Sequence, residues 1–511
     1  MAVVASAPGK VLVTGGYLVL ERPNPGIVLS TTARFYAIVK PIREEIDPGS
    51  WAWAWTDVKV TSPQLSREAT YKMSLTHSNL QCTSSRDSSN PFVERALEYS
   101  VAAAKAISYD KGTKDELDRL LLQGLDITII GSNDFYSYRS QIEVHGLPLT
   151  SASLELLPPF SSITFNEDNG SQGGAKSKPE VAKTGLGSSA AMTTSVVAAL
   201  LCYLGIVELP YASKARTAAR AADSDLDLVH AIAQSAHCIA QGKIGSGFDV
   251  CAAVYGSQRY VRFSPAILSS AQALGGKQLP DVINDILKEK WDHEKVKFSL
   301  PPLMSLLLGE PGTGGSSTPS MVGFVKQWQK SDPQKSTETW KRLANANSML
   351  ELELNKLNKF ALDQWDSYKQ VISSCSGYPH EKWAGQTTDQ TTESIVKSLL
   401  GAREAFVEIR FQMQLMGKEA GVPIEPESQT QLLDATMSMK GVLLAGVPGA
   451  GGYDAVFAII LGEATGAVSE AWSSHGVLPL LVRENPHGVL LEDGDPRARE
   501  VSSSISSINI N

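Results

Sequence analysis

The chain contains few cysteines, and no two of them have a metal-binding or redox spacing. Its 511 residues include five, at Cys82, Cys202, Cys238, Cys251 and Cys375, without any Cys-x-x-Cys pair. This distribution suits a reducing compartment and argues against a disulfide framework or a zinc site.

Long apolar runs and an excess of positive charge are also absent. No apolar run approaches the roughly 18 residues of a transmembrane helix, and the N-terminus does not resemble a signal peptide. We therefore expect a cytoplasmic protein without a membrane partner. The net charge of −8 gives no reason to expect a nucleic-acid partner. An anionic substrate would need local lysine or arginine side chains, because the overall field opposes it.

The composition that remains is that of a large globular protein. Hydrophobic residues make up 42% of the chain and charged residues 20%, which excludes a disordered chain. A chain of this length accommodates about two or three domains and a large core.

The most informative stretch is the glycine- and serine-rich sequence 183–190, which a long Ala/Val/Leu run follows. Its small residues let the backbone come close to a ligand. Ala190–Leu201 reads as a buried helix, with Ser188 or Ser189 as the N-cap. A glycine loop that opens onto a helix N-terminus offers free N–H groups and suits a phosphate. The pattern is neither a Walker A motif nor a dinucleotide fingerprint, and an ordinary turn before a core helix is the alternative.

Further glycine motifs lie far from this stretch. Ala7-Pro8-Gly9-Lys10 and Gly15-Gly16-Tyr17 stand near the start of the chain, and 448–454 reads Pro-Gly-Ala-Gly-Gly-Tyr-Asp. A fourth turn, 242–249, ends at Asp249, where it meets a predicted strand. An acid in that position caps turns more commonly than it catalyses.

Hydrophobic periodicity predicts mixed helices and strands, with long helices in the C-terminal half. The clearest predicted strands are Val11–Val13, Tyr17–Leu20, Leu125–Ile130 and Val250–Tyr255, and the clearest predicted helices are Phe92–Ile107, Leu226–Gln241 and Thr337–Gln370.

Taken together, the three glycine motifs at 7–17, 183–190 and 448–454 resemble the signature motifs of the GHMP small-molecule kinases. The resemblance extends from residue 5 to about residue 482. Within the family, the chain is most similar to the phosphomevalonate kinases of the fungal type. The residues behind this narrower resemblance are Gly15–Leu20, Asn133–Ser137 and Gln241–Asp249.

The resemblance implies an α+β fold of two domains with the active site between them. Residues 1–265 would form an N-terminal domain similar to the ribosomal S5 domain 2-like fold, and residues 266–490 a ferredoxin-like C-terminal domain. The polar tail 491–511 is expected to be disordered.

The resemblance also implies roles for individual residues. Lys10 and Asp249 would be catalytic, and Ser189 would be a ligand of Mg²⁺. The chain departs from the family pattern in two places. Many relatives carry Glu where Gly16 stands in this chain, and no acid stands where mevalonate kinases carry a magnesium-binding Glu. His237 in the latter neighbourhood is interpreted as structural. The expected ATP-binding residues are Lys183, Thr184, Gly185, Leu186, Gly187, Ser188, Ser189 and Ala190. The expected substrate-binding residues are Lys10, Tyr17, Ser137, Tyr138, Ser316, Ser317 and Gly451.

The implied reaction is transfer of the γ-phosphate of ATP to 5-phosphomevalonate, giving ADP and 5-diphosphomevalonate in the mevalonate pathway of isoprenoid and sterol biosynthesis. ATP, Mg²⁺ and the small-molecule acceptor are the implied partners. Two alternatives stay open. One is a sibling enzyme, a mevalonate kinase or a diphosphomevalonate decarboxylase. The other is a non-catalytic sensor, which the presence of Lys10 and Asp249 disfavours.

Overall fold

The structure is a computed structural model of the chain. It describes residues 2–43, 55–85, 89–108, 110–163, 165–166, 180–181, 183–214, 223–269, 278–312 and 318–498. Within these ranges the strands are β1 Val3–Leu12, β2 Pro25–Pro41, β3 Trp55–Ser62, β4 Arg67–Ser74, β5 Leu80–Cys82, β6 Leu125–Gly131, β7 Phe165–Asn166, β8 Glu180–Val181, β9 Gln258–Val261, β10 Glu294–Lys297, β11 Met304–Glu310, β12 Val442–Gly446, β13 Val456–Leu461, β14 Leu478–Pro479 and β15 Leu490–Leu491.

Helices of very different lengths accompany these strands. They are α1 Pro91–Ile107, α2 Lys111–Leu122, α3 Arg139–Val144, α4 Ser151–Glu155, α5 Ser188–Tyr203, α6 Asp223–Gln241, α7 Phe248–Tyr255, α8 Leu279–Lys288, α9 Thr318–Ser331, α10 Pro333–Asp363, α11 Trp365–Ser376, α12 Gln390–Ala420, α13 Glu427–Met437 and α14 Thr465–Ser474. Among the helices that the structure describes, none combines the length and the hydropathy needed to cross a bilayer.

A nine-stranded sheet forms the centre of the N-terminal half. Its strand order is β10-β9-β2-β6-β3-β4-β5, and β1 pairs with both β2 and β15. The long strand β2 organises it, because β2 pairs antiparallel with β1, β6 and β9. Helices α1, α5 and α6 pack together, and α5 lies against β1 and β2. Almost every residue of α5 is buried, as the Ala/Val/Leu run predicted.

A second sheet belongs to the C-terminal half. Its order is β12-β13-β11-β14, and all of its pairs are antiparallel. The long helices α10 and α12 pack against each other, and α12 and α13 contact β12. Asp389 caps α12, since its side chain accepts from the Thr392 N–H and Thr392 bonds back to the cap. This reciprocal capping fixes the start of the helix.

Two predicted strands are wrong. Leu18–Leu20 is a 3₁₀ helix, because Leu18 and Val19 bond back to the carbonyls of Gly16 and Gly15 in a tight turn. The stretch predicted as a strand at Val250–Tyr255 belongs to α7. Its residues from 250 to 254 are all buried, and a short apolar run without alternation does not separate a buried strand from a buried helix.

Two other boundaries also differ from the prediction. The helix predicted at Thr337–Gln370 is two helices, because Gln364 adopts a non-helical conformation between α10 and α11. The tail does not begin at residue 491, since Leu491 pairs with Ala5 in the large sheet. The division at residues 265 and 266 stays a prediction. Two strands beyond it, β10 and β15, belong to the large sheet.

Candidate active site

The sequence 183–190 forms a loop that leads directly into α5. Gly185 and Gly187 both have a φ of 75°, in the left-handed region that glycine tolerates. Gly187 is the N-cap of α5 and provides no side-chain bond to the first turn, so the prediction that Ser188 or Ser189 caps the helix is wrong. The first-turn N–H groups and both serine hydroxyls therefore remain available to a ligand.

Lys10 of β1 packs against this loop. Its backbone N–H donates to the Leu186 carbonyl at 2.9 Å, and its Nζ donates to the Gly185 carbonyl at 2.9 Å. A Cβ at Gly187 would lie 2.9 Å from the Cε of Lys10, so the lysine stem fills the space that a side chain at 187 would need. The loop therefore holds the Lys10 ammonium group beside its own backbone.

Asp249 faces the same region from the first turn of α7. That helix begins after Gly247, whose φ is 81°, and a carboxylate oxygen of Asp249 accepts from the Val250 N–H at 3.0 Å. Burial lowers the pKa of the Lys10 ammonium, and the negative charge of Asp249 opposes that shift. The two side chains are therefore electrostatically coupled across the cavity.

The glycine motif at 448–454 closes the site from the C-terminal half. The Gly449 N–H donates to the Leu12 carbonyl at 3.0 Å, and the Tyr17 hydroxyl donates to the Ala450 carbonyl at 2.9 Å. Gly451 has a φ of 76°, and a Cβ there would lie 2.0 Å from the Ile424 carbonyl oxygen. This loop is thus docked by backbone contacts that larger residues would prevent.

Gly16 explains one departure of this chain from its family pattern. A Cβ at Gly16 would lie 2.3 Å from the Gly449 carbonyl oxygen. A glutamate, which many GHMP kinases carry at this position, does not fit while the 448–454 loop stays where it is.

Ser189 belongs to a short chain of side-chain hydrogen bonds. Its Oγ lies 3.0 Å from Nε2 of His237, and Nδ1 of His237 lies 2.5 Å from Nε2 of Gln241. The imidazole is buried, and its centroid lies 5.2 Å from that of the Phe92 ring of α1, with the two rings tilted by 39°. Burial lowers the pKa of His237, while the Asp249 charge opposes the shift. Sequence reasoning treated His237 as structural and missed this contact with Ser189.

These elements enclose a cavity of about 590 Å³ between the two halves of the chain. Four lysines line it, and they provide the local positive charge that the net charge of −8 does not. Two of them, Lys243 and Lys326, are residues that the sequence analysis missed. Lys243 lies inside the glycine-rich turn 242–249, so the sequence motif could have identified it. Of the predicted site residues, Lys10, Tyr17, Lys183, Gly185, Leu186, Gly187, Ser188, Ser189, Asp249 and Gly451 line the cavity.

A second cavity of about 380 Å³ adjoins the first. The two share Lys183, Ser188 and Ser189. Its wall combines aromatic and aliphatic side chains with the amides of Gln64 and Asn90. The loop 183–190 therefore separates a mixed apolar cavity from a lysine-lined one.

Several predicted site residues lie elsewhere. Tyr138 is 1% exposed and donates to the Ser161 carbonyl, and the Ser137 hydroxyl donates to Glu310. Neither residue lines either cavity, because their side chains are used within the protein. Thr184 and Ala190 are likewise buried, and the Thr184 hydroxyl donates to the Asp134 carbonyl. Ser316 and Ser317 lie outside the described residues.

Two glycine loops and a lysine–aspartate pair in one cleft define a small-molecule kinase of the GHMP class. A phosphomevalonate kinase of Streptococcus pneumoniae, solved with phosphomevalonate and AMPPNP, has this fold, with a TM-score of 0.53 and 14% identity over 95% of this chain and 100% of that one. No family model matches the chain.

Curated relatives define the family more narrowly. The chain is 64% identical to the peroxisomal phosphomevalonate kinase of Arabidopsis thaliana over 100% of both chains. It is 33% identical to a phosphomevalonate kinase of Aspergillus fumigatus, over 89% of this chain and 86% of that one. The chain belongs to the phosphomevalonate kinase family.

The plant relative corrects one expectation. The cytoplasmic location predicted from composition is wrong, because the relative that is 64% identical is a peroxisomal protein. Short address signals are read by receptors and leave composition and hydropathy unchanged. Composition and hydropathy therefore did not distinguish a cytoplasmic from a peroxisomal location.

Proposed function

We propose that this kinase transfers the γ-phosphoryl group of ATP to a phosphate oxygen of 5-phosphomevalonate, giving ADP and 5-diphosphomevalonate. The observation that supports this most directly is the cavity of about 590 Å³, which two glycine loops, Lys10 and Asp249 enclose together. Its four lysines suit an acceptor that already carries a phosphate. The family membership reported above gives the acceptor its identity.

The two adjoining cavities suggest how the substrates divide the site. We place the triphosphate on the loop 183–190 and the phosphorylated acceptor among Lys10, Lys243 and Asp249. The adenosine occupies the second cavity, where aromatic and aliphatic side chains suit a purine. Ser188 and Ser189 line both cavities. The γ-phosphate of ATP therefore lies between the adenosine in the second cavity and the acceptor in the first.

The roles of Lys10 and Asp249 follow from the chemistry of the acceptor. A phosphomonoester has a second pKa of about 6 and is mostly dianionic at neutral pH, so it needs little deprotonation. It does need its charge neutralised before two phosphates approach each other. Lys10 supplies that neutralisation, and Asp249 orients Lys10 and the acceptor oxygen.

Mg²⁺ fits a site built mainly from hydroxyl and phosphate oxygens. Ser189 offers a hydroxyl at the start of α5, and the carboxylates of Asp249 and Asp454 line the same cavity. Magnesium retains several waters and relies on substrate phosphates, so few protein ligands suffice. When bound with ATP, the ion neutralises charge on the transferring group.

A coupled assay of ADP release tests the proposal. The purified chain is supplied in turn with 5-phosphomevalonate, mevalonate and 5-diphosphomevalonate, with carbon dioxide measured for the last. We expect turnover with 5-phosphomevalonate alone. Preferred turnover of mevalonate, or release of carbon dioxide from 5-diphosphomevalonate, would replace the proposal with a sibling enzyme. Nucleotide binding without turnover of any acceptor would favour a sensor.

A further inference from the structure

A buried cluster of three metal-ligating side chains lies apart from the reaction site. His230 of α6, Cys251 of α7 and His293, just before β10, bring their ligand atoms within 4.8 Å of one another. The centroids of the two imidazole rings are 4.4 Å apart. None of the three residues lines either cavity. The fold therefore assembles a separate site from three elements that are distant in the sequence.

The imidazoles of this cluster have unsatisfied nitrogens. Among the residues that the structure describes, neither ring nitrogen of His230 nor either nitrogen of His293 has a hydrogen-bond partner. His230 is 1% exposed, so bulk water does not reach it. A buried polar atom without a hydrogen-bond partner destabilises the fold, because it has lost its contacts with water. The arrangement is therefore unfavourable unless a ligand engages at least some of these nitrogens.

Aromatic side chains surround the cluster. Trp291 meets the His230 ring edge-on at 4.9 Å, and Tyr255 lies 5.4 Å from it. The ammonium group of Lys295 is paired with Asp227, so its charge is largely compensated.

We propose that His230, Cys251 and His293 bind a single Zn²⁺ ion, with a water in the fourth tetrahedral position. Two imidazoles and a thiolate are typical zinc ligands, whereas Mg²⁺ prefers oxygen. The scattered cysteines predicted no zinc site, because this one combines a single cysteine with two histidines. Zinc–ligand bonds of about 2.0–2.3 Å would draw the three side chains closer together.

Zinc binding changes the protonation of the cluster in a defined way. The Cys251 thiol must lose its proton to bind zinc as a thiolate. A zinc–sulfur bond forms as the sulfur–hydrogen bond breaks, and the proton leaves to solvent. His293 is half-buried, whereas His230 and Cys251 are buried.

The position of the cluster indicates a structural role. Zinc would join α6, which carries His237, to α7, which carries Asp249, and both to the segment before β10. Two elements that present side chains to the reaction cavity would thus be fixed relative to each other from their remote side.

Metal analysis of the intact purified chain tests this proposal. The protein is prepared without metal-affinity chromatography and dialysed against excess Mg²⁺, and its zinc content is measured by mass spectrometry. The variants are Cys251→Ser and His293→Asn, and the matched control is Cys375→Ser, a buried cysteine of α11. We expect a single zinc per chain in wild type and control, and binding weakened at least about 10-fold in the two variants. Zinc retained by both variants, or wild type without zinc and without thermal stabilisation by added zinc, would overturn the proposal.

A spectroscopic measurement on the wild type is independent of how the variants fold. After Co²⁺ replaces the native metal, a thiolate-to-cobalt charge-transfer band and intense visible bands of tetrahedral cobalt are expected. Their absence from wild type, or their presence at equal strength in Cys251→Ser, would show that Cys251 does not bind the metal.

Discussion

Two buried histidines lie two turns apart on α6 and differ in what they contact. His237 has Ser189 on one ring nitrogen and Gln241 on the other. His230 has no hydrogen-bond partner on either nitrogen within the described part of the chain. Residues seven apart share one face of a helix, and burial lowers the pKa of both. Burial alone therefore does not distinguish the two histidines, whereas their partners do. His237 bonds to Ser189, which lines the reaction cavity, and His230 belongs to the cluster of potential metal ligands.

The largest effect on turnover is expected in the reaction cavity, from Lys10→Met. Removing one well-placed electrostatic group costs on the order of 10²–10³-fold in turnover. We expect Lys10→Met to be at least as damaging as Asp249→Asn, because the acceptor is already ionised. Rates of ADP release at saturating substrates give the comparison.

The pH profile provides the control for this ranking. The acidic limb near a pH of about 6 belongs to the substrate phosphate and should survive in Asp249→Asn. Nearly full turnover in Lys10→Met would contradict the ranking. If the acidic limb vanishes in Asp249→Asn, Asp249 is a true general base and an alcohol acceptor becomes the better assignment.

Ser189→Ala should have the next largest effect, a loss of about 10²-fold in turnover. If the hydroxyl holds Mg²⁺, raised magnesium should restore part of the activity. Measuring rates across a magnesium titration checks this, with Ser188→Ala as the neighbouring comparison. Full activity at low magnesium would remove Ser189 from the metal site.

His237 should act through Ser189 as a positioning residue. His237→Leu removes both hydrogen bonds, and losing such a supporting partner typically costs about 10–100-fold. His237→Gln should recover part of the loss, since its amide reaches the position of Nε2. The loss should appear mainly in the magnesium dependence, and combining His237→Leu with Ser189→Ala should add little. Additive losses would mean that the two residues act separately.

Lys10 also predicts the alkaline limb of the pH profile. Burial lowers the pKa of its ammonium group, so the active cationic form is present below that pKa and lost as the pH rises through it. Asp249→Asn removes the opposing charge and should move the limb to lower pH. Lys10→Arg should move it to higher pH, because a guanidinium stays charged. An unchanged limb in both variants would assign it to another group.

The smallest effect on turnover is expected at the cluster of His230, Cys251 and His293. His293→Asn should lower the melting temperature of the zinc-loaded chain but leave turnover within about 2-fold, as substitutions away from the chemistry usually do. Thermal melts and ADP release on the same preparation test both parts. A large loss of turnover without a change in melting temperature would contradict a structural role for this cluster.

Features of the fold and the site could be predicted from the sequence where they depend on residues that are close together in the chain. The loop 183–190 and the 448–454 motif were recognisable because glycine spacing is local. The residues 250–255 were predicted as a strand but belong to α7, because a short buried apolar run lacks the periodicity that separates helix from strand. The contact between Ser189 and His237 and the grouping of His230 with Cys251 join residues that are distant in sequence, and only the packing of α5, α6 and α7 brings them together.

The approach of Gly16 to Gly449 limits how the chain can be recombined with its relatives. A Cβ at 16 would fall 2.3 Å from the carbonyl oxygen of 449, so the two segments are compatible only as a pair. A chimera that takes the first 20 residues from a GHMP kinase with glutamate at this position, but keeps the 448–454 loop, should misassemble. Exchanging both segments together should restore the fit. The two segments, which come from opposite ends of the chain, can therefore be replaced only together.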